Sequence, residues 1–204
     1  MRIVFATGNK DKLKEIRKIL GGLGLEIISM AEAGVQGDVE ENGTTFSGNS
    51  MIKARAVAGE LKGKGESDCI VLADDSGLEI DYLNGEPGIY SARYMGHDTP
   101  YSEKNAAIIK RLEGVEDEKR SARFVCAISA ILPDGKELGT LGKMEGRIGY
   151  EIAGSNGFGY DPIFFLPEYG KTSAELTEDE KNAISHRGKA LRSMEEVLRK
   201  ELSL

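Results

Sequence analysis

Two periods of apolar residues alternate along the first third of the chain, and each change of period predicts a new element. Arg2 to Ala6 is an apolar, β-branched run closed by Thr7-Gly8-Asn9. Leu13, Ile16, Ile19 and Leu20 then recur at helical spacing until Gly21-Gly22 stops them. This is the pattern of strand, tight turn and helix. Leu25 to Ser29 predicts a second short strand, followed by a long loop from Met30 to Gly43 that carries Asp38, Glu40 and Glu41. Loops of such length usually serve a function. A helix is expected from about Thr45 to Leu61, with Phe46, Ala54, Val57, Ala58 and Leu61 facing inward, and Cys69 to Ala73 predicts a buried strand. Asp74-Asp75-Ser76-Gly77 is expected to interrupt two apolar strands, because adjacent charges suit a turn. Beyond it, Leu78, Ile80 and Tyr82 alternate with Glu79 and Asp81, the period of a strand with one wet face.

Thr99-Pro100 predicts a capped helix start, with Ile108, Ile109 and Leu112 on the inner side until Gly114. Arg123 to Leu132 reads as a long strand, and Pro133-Asp134-Gly135 supplies the turn of a hairpin into a strand near Leu138. The last third holds a glycine loop from Gly154 to Gly159, a short strand at Ile163 to Phe165, and helical sequence from Thr177 to Leu202. Thr177 and Glu180 have the spacing of a capping box. No internal repeat or low-complexity linker interrupts this order. The expectation is an α/β fold in one domain, with helices flanking a mixed β-sheet.

Composition narrows the partners. The 34 acidic and 27 basic residues leave a formal net charge of −7, which disfavours general nucleic-acid binding through a basic face. No apolar run approaches the roughly 18 residues needed to span a bilayer. The N-terminal apolar run is too short for a secretory signal, so a cytoplasmic protein is expected. Cys69 and Cys126 each lie inside an apolar run without a CxxC spacing, which predicts buried free thiols rather than a disulfide or zinc site. The 26 glycines, nearly twice the usual ~7%, direct attention to the loops.

Four stretches could carry chemistry. Thr7-Gly8-Asn9-Lys10-Asp11-Lys12 places backbone N–H groups and lysines where a strand meets a helix, an arrangement that suits a phosphate but also describes an ordinary turn with solvated lysines. Asp74-Asp75-Ser76-Gly77 puts two adjacent carboxylates after a buried strand. With Glu40 and Glu41 it could form an oxygen-rich site for Mg²⁺, although Asp-Ser-Gly is also a common turn. Gly157-Phe158-Gly159-Tyr160-Asp161-Pro162 sets aromatic rings between glycines, either to stack on a flat ligand or to pack on the core. Lys181-Asn182-Ala183-Ile184-Ser185-His186-Arg187 holds one of two histidines; the other, His97, is expected to be exposed. In one continuous helix Lys181 and His186 would point about 140° apart. A shared ligand therefore requires a break, and Ser185 is a good N-cap for a second helix starting at His186; a single amphipathic helix with a solvated face is the other reading. Together the four stretches supply phosphate corners, an acidic metal corner and an aromatic slot, the parts of a nucleotide enzyme.

The sequence also resembles the inosine/xanthosine triphosphate pyrophosphatase family along almost its whole length. The resemblance rests on Thr7, Asn9 and Lys12 in the [ST]xNxxK pattern, Ala73 to Leu78 (ADDSGL), Pro87 to Tyr94 (PGIYSARY), Gly157 to Phe164 (GFGYDPIF) and Glu180 to Arg187 (EKNAISHR). It implies a two-lobed α/β fold with the active site in the cleft, a homodimer, Mg²⁺ dependence, and cleavage of deaminated purine nucleoside triphosphates to monophosphate and pyrophosphate. By the same resemblance Asp75 is the general base and a metal ligand, Glu41 a second metal ligand, and Ser76 a substrate contact. Thr7, Gly8, Asn9, Lys10, Asp11, Lys12 and Lys53 would hold phosphates. Phe158, Gly159, Tyr160, Asp161, Lys181, His186 and Arg187 would enclose sugar and base. Arg187 and the N–H groups of a helix starting at His186 are then expected to donate to the 6-oxo group that distinguishes hypoxanthine and xanthine from adenine, with Phe158 or Tyr160 stacking on the ring. One stretch departs from the family's usual TFxENAxxKA: Gly48 stands for its glutamate and Ser50 for its alanine, while Asn49 and Lys53 remain on one helix face. A non-catalytic nucleotide sensor and a pyrophosphatase for modified pyrimidine nucleotides are the rival functions.

Overall fold

The computed structural model describes residues 1–37 and 39–204; Asp38, on the predicted long loop, lies outside the described residues. Seven strands form one mixed sheet in the order β2-β1-β3-β4-β5-β6-β7, where β1 is Arg2–Phe5, β2 Glu26–Ser29, β3 Cys69–Ile80, β4 Ser121–Ile131, β5 Glu137–Ile148, β6 Phe164–Leu166 and β7 Lys171–Thr172. Strand β1 runs parallel to β2 and β3, whereas β6 runs antiparallel to β5 and β7. The helices are α1 (Lys10–Leu20), α2 (Phe46–Gly63), α3 (Tyr101–Arg111), α4 (Glu178–Ile184) and α5 (His186–Leu202). The chain divides into two compact units. The first comprises Met1–Asp75, Cys126–Gly142 and Arg187–Leu204, and the second Ser76–Val125 and Lys143–His186.

In the first unit the apolar runs are continuous because both faces of the strands are covered. Successive side chains point to opposite faces. Ile3, Phe5, Ile70 and Leu72 pack with Ile16 and Leu20 of α1 and with Leu191, Met194 and Leu198 of α5. Their neighbours Val4, Ala6, Val71 and Ala73 pack with Ala54, Val57 and Leu61 of α2. Burial of each large aliphatic chain here contributes about 1.5–3 kcal/mol. Cys69 and Cys126 are buried free thiols, as expected.

In the second unit Leu78, Ile80, Phe124, Met144, Ile148 and Phe164 form the core with Ile108 of α3 and Leu112 at its C-terminal cap. Three expectations are corrected here and at the join. Asp74 to Gly77 does not interrupt β3, which runs unbroken from Cys69 to Ile80. Tyr82 does not continue the alternation, because Asp81–Leu83 turns into a 3₁₀ helix that puts Leu83 in the core and leaves Tyr82 exposed. Thr99 does not cap α3. Its hydroxyl turns back to the Met95 carbonyl (2.7 Å), and Pro100 takes the cap position without a side-chain bond.

The hairpin turn is as predicted, with Gly135 N–H donating to the Leu132 carbonyl. So is the division of the C-terminal helical sequence. The Thr177–Glu180 capping box opens α4, Ser185 adopts extended backbone (φ −64°, ψ 151°), and α5 begins at His186. The short strand predicted at Ile163 to Phe165 is β6, one residue further on, whereas its partner β7 and a second capping box, Thr172 with Glu175, were not legible in the periodicity.

Candidate active site

In the first unit, charge gathers around the end of β1 and the middle of β3. Asn9 caps α1: its side chain accepts from the N–H groups of Asp11 and Lys12 at 2.9 and 3.2 Å, and its own N–H donates to Thr7 Oγ1 at 3.1 Å. Gly8, Asn9, Lys10 and Asp11 are exposed, while Thr7 and Lys12 are half-buried. Of the predicted lysines, Lys12 turns inward and places Nζ 2.9 Å from Asp74 Oδ2.

Asp74 is almost wholly buried, and Arg187 at the start of α5 reaches the same oxygen at 3.4 Å while its Nη1 donates to Glu15 at 2.7 Å. Burial alone would raise the Asp74 pKa, but Lys12, Arg187 and Lys53 outweigh it and hold the carboxyl well below the usual range. This compensation is the reason the strand need not break at two adjacent acids. Arg187, expected to donate to a base oxygen, here lies with its guanidinium on the Asp74 and Glu15 carboxylates.

Asp75 lies in the opposite electrostatic situation. Burial, the largest influence, pushes its pKa up. Lys53 opposes that, the Glu41 and Asp74 charges reinforce it, and the result is about 6. Lys53 projects from α2 with Nζ 2.8 Å from Glu41 Oε1 and 3.6 Å from Asp75 Oδ1. The ammonium thus bridges the two carboxylates that the sequence paired as metal ligands; Glu40 is exposed. Burial would lower the Lys53 pKa, but Asp74, Asp75 and Glu41 carry it above the ordinary lysine value.

Asn49, one turn before Lys53, accepts the Gly43 N–H on Oδ1 at 2.9 Å and so ties the Glu41 loop to α2. A side chain at Gly43 would collide with that same oxygen, 2.6 Å from an added Cβ. Sequence reasoning gave neither Asn49 nor Gly43 a role. The only signal was Asn49 sharing the Lys53 face at i, i+4. Ser50, in place of the family's alanine, buries its hydroxyl 2.6 Å from Ser129 Oγ.

In the second unit, Ser76 follows Asp75 along β3 and is half-buried. The glycine loop is organised by Asp161. Its Oδ2 accepts the Phe158 N–H at 2.8 Å and the Lys181 ammonium at 2.6 Å, and its Oδ1 accepts Ser173 Oγ at 2.9 Å. Gly157 has φ +74°, and a Cβ there would lie 2.3 Å from Asp161 Oδ2, so only glycine fits. Phe158 is half-buried, with Lys181 Nζ 4.9 Å from its ring centroid. Tyr160 is buried; its hydroxyl donates to the Ser91 carbonyl at 2.7 Å and its ring meets Tyr101 edge-on. Of the two rings predicted to stack on a base, Phe158 therefore keeps solvent access and Tyr160 does not. Gly159 is half-buried beside them. His186 is buried, its ring stacked on Phe124 at 4.9 Å, whereas His97 is exposed.

The structure thus brings Lys12, Lys53, Glu41, Asp75 and Arg187 together around Asp74 in one unit, and Phe158, Asp161 and Lys181 together in the other. Among the described residues no group of three His, Cys, Asp or Glu side chains forms a ready-made metal cage.

A profile of the Ham1 family matches residues 3–197. The dITP/XTP pyrophosphatase of Clostridium perfringens is 50% identical over 198 residues, covering 97% of each chain, and that of Caldanaerobacter subterraneus is 46% identical over 202 residues, 99% of this chain and 98% of its own. Among solved structures, the Staphylococcus aureus Ham1 protein superposes with a TM-score of 0.87 at 38% identity, covering 98% of this chain and all of its own. A HAM1 protein from Coxiella burnetii gives 0.87 at 42% identity, covering 98% and 99%. With matches of this length and identity, the chain belongs to the Ham1 family.

Proposed function

We propose that this protein hydrolyses deaminated purine nucleoside triphosphates, those of inosine, deoxyinosine and xanthosine, to the nucleoside monophosphate and pyrophosphate, removing them from the nucleotide pool. The observation that carries the reading is the contrast inside one acid pair. Asp74 is held ionised by Lys12 and Arg187, and Asp75, one residue on, is raised to about 6. Two neighbouring carboxyls pushed apart in this way suit a division into a fixed charge and a proton acceptor. The names of the full-length relatives supply the substrate class.

In this reading Asp75 takes a proton from the attacking water as that oxygen bonds to phosphorus and the bond to the pyrophosphate leaving group breaks. A carboxylate placed beside the attacking water serves that step as its general base. The α1 N-terminus from Thr7 to Lys12, with the Lys12 and Lys53 ammonium groups, binds the phosphates and stabilises the charge that grows on their oxygens. Phe158 stacks on the base, with Gly159, Asp161, Lys181 and His186 around base and sugar and Ser76 as a further substrate contact.

Mg²⁺ fits the acids of the first unit. Glu41 and Asp75 already share one cation, the Lys53 ammonium, and Mg²⁺ characteristically takes one or two carboxylates and completes its shell with water and phosphate oxygens. When bound it would neutralise polyphosphate charge and polarise the scissile phosphoanhydride. Assignment of both clusters to one nucleotide, assembly as a homodimer and a cytoplasmic location belong to the same proposal. No helix among the described residues is long and apolar enough to cross a membrane.

Product analysis with inosine triphosphate and Mg²⁺ tests the reading. Pyrophosphate with inosine monophosphate is expected. Release of orthophosphate would contradict it, and binding without turnover would replace it with a sensor.

A further inference from the structure

The loop that presents Phe158 has little stiffness of its own. Gly157 and Gly159 both adopt left-handed backbone, at φ +74° and +70°, so two of three consecutive residues are glycines in a region they enter freely. Something outside the loop must hold the ring at one height and tilt. The Asp161 carboxylate fixes the Phe158 N–H from within. Two further bonds fix the loop from behind. Asn105 of α3 donates Nδ2 to the Gly159 carbonyl at 3.1 Å, and Tyr160 donates its hydroxyl to the Ser91 carbonyl at 2.7 Å.

Both anchors are themselves immobilised. The Tyr160 ring is 3% exposed and meets Tyr101 edge-on, with centroids 5.2 Å apart at 89°. Ser91 accepts the Leu78 N–H on Oγ at 2.9 Å and donates to the Gly88 carbonyl at 2.6 Å, so the acceptor of Tyr160 is stapled to β3. Asn105 is buried, and its Oδ1 has no hydrogen-bond partner. A buried amide with one unsatisfied end is costly. An apolar side chain would fill this site at less cost, and what the amide supplies that an apolar side chain cannot is the bond to Gly159.

We infer that Tyr160 and Asn105 are positioning residues for base binding, clamping the loop at Gly159 and Tyr160 so that Phe158 stands at a fixed distance for stacking. The inference rests on the stacking role proposed above for Phe158. It gives Tyr160 a task other than stacking and Asn105 a task where the site description had none.

The test compares steady-state kcat and KM for inosine and adenosine triphosphates in wild type, Tyr160→Phe, Asn105→Ser, Phe158→Ala and the Tyr160→Phe/Phe158→Ala double variant, with thermal midpoints alongside. Loss of one positioning bond is expected to raise the inosine triphosphate KM about 3- to 10-fold with kcat within about twofold, and to weaken adenosine triphosphate by a similar factor, because stacking does not distinguish the bases. In the Phe158→Ala background Tyr160→Phe should add nothing further. A lowered midpoint with unchanged KM would show a merely structural role and overturn the inference. An unchanged KM in Phe158→Ala would instead overturn the stacking reading itself, so the two failures are distinguishable. Should Tyr160→Phe not fold, Asn105→Ser carries the same comparison through the other bond.

Discussion

Each unit contains a buried aspartate beside a lysine, Lys181 buried and Lys53 half-buried, and the two pairs are built for opposite ends. In the second unit Asp161 receives a hydroxyl, a backbone N–H and the Lys181 ammonium, and nothing in that set opposes its charge. In the first unit Asp75 meets the Lys53 ammonium at 3.6 Å together with the charges of Glu41 and Asp74, and burial pushes its proton affinity up. The Asp161 pair is a staple that shapes a loop. The Asp75 pair leaves a carboxyl whose ionised form is incompletely compensated, the gap that the cation and polyphosphate of the proposed function would fill. A buried acid–lysine contact is thus no guide to role until the other charges around it are counted.

The sharpest break of the comparison is Asp75→Asn. It retains size but removes the proton acceptor and one metal charge, so kcat should fall by about 10²–10⁴. Retention of more than about a tenth of wild-type kcat at saturating Mg²⁺ would remove Asp75 from the mechanism. The same variant should stabilise the metal-free protein. A carboxyl whose pKa in the folded state is raised, here to about 6, binds more protons folded than unfolded. Its penalty is complete above that value and fades as pH falls from about 6 to the unfolded value of roughly 4. The wild-type contribution from this group therefore improves on acidification across that window, and the asparagine variant should lack that part of the pH dependence.

Asp161→Asn should act the other way. It leaves Lys181 buried without its counter-charge and weakens the hold on the Phe158 N–H, and breaking a buried pair from one side costs about 3–5 kcal/mol. Denaturant unfolding reads this directly. A loss no larger than that of an exposed pair such as Arg55–Glu137 would make the staple ornamental.

Lys53→Ala and Lys12→Ala come next. Hydrogen bonds to charged groups are worth about 1.5–3 kcal/mol, so triphosphate binding should weaken about 10- to 100-fold while monophosphate binding changes little. Equal losses for both ligands, measured calorimetrically, would place these lysines away from the outer phosphates.

The smallest effect is expected at Ser50. Ser50→Ala removes one partner of the buried Ser50–Ser129 contact and should cost about 1 kcal/mol, with the Ser50→Ala/Ser129→Ala double variant nearer to wild type because neither hydroxyl is then left without the other. A double variant that loses the sum of both singles would disprove the coupling.

Much of this was legible in sequence wherever the physics is local. The unbroken apolar runs at Arg2 to Ala6 and Cys69 to Ala73 announced strands covered on both faces, and Ser185 announced the break between α4 and α5. Residues of the first-unit cluster stand in short motifs that travel with their backbone, as at Asn9 and its cap. What escaped depends on residues far apart in the chain. Asp74 and Asp75 looked like a strand break because Lys12, 62 positions before Asp74, and Arg187, 113 positions after it, are what make them tolerable inside β3. Tyr82 followed a strand period until the chain turned beneath Leu83, and Tyr160 looked like a stacking ring until Ser91 and Tyr101 enclosed it. Asn49 carried no signal beyond its spacing, since its partner is the backbone of Gly43.

The contrast between the two pairs reduces to one measurement: the unfolding free energy at pH 7 of metal-free wild type, Asp75→Asn and Asp161→Asn. The same chemical change at two buried acids should move stability in opposite directions, up by roughly 1–3 kcal/mol at Asp75 and down by about 3–5 kcal/mol at Asp161. Destabilisation at both positions would contradict the account, because Asp75 would then be a structural acid and not one held ready for a proton and a cation.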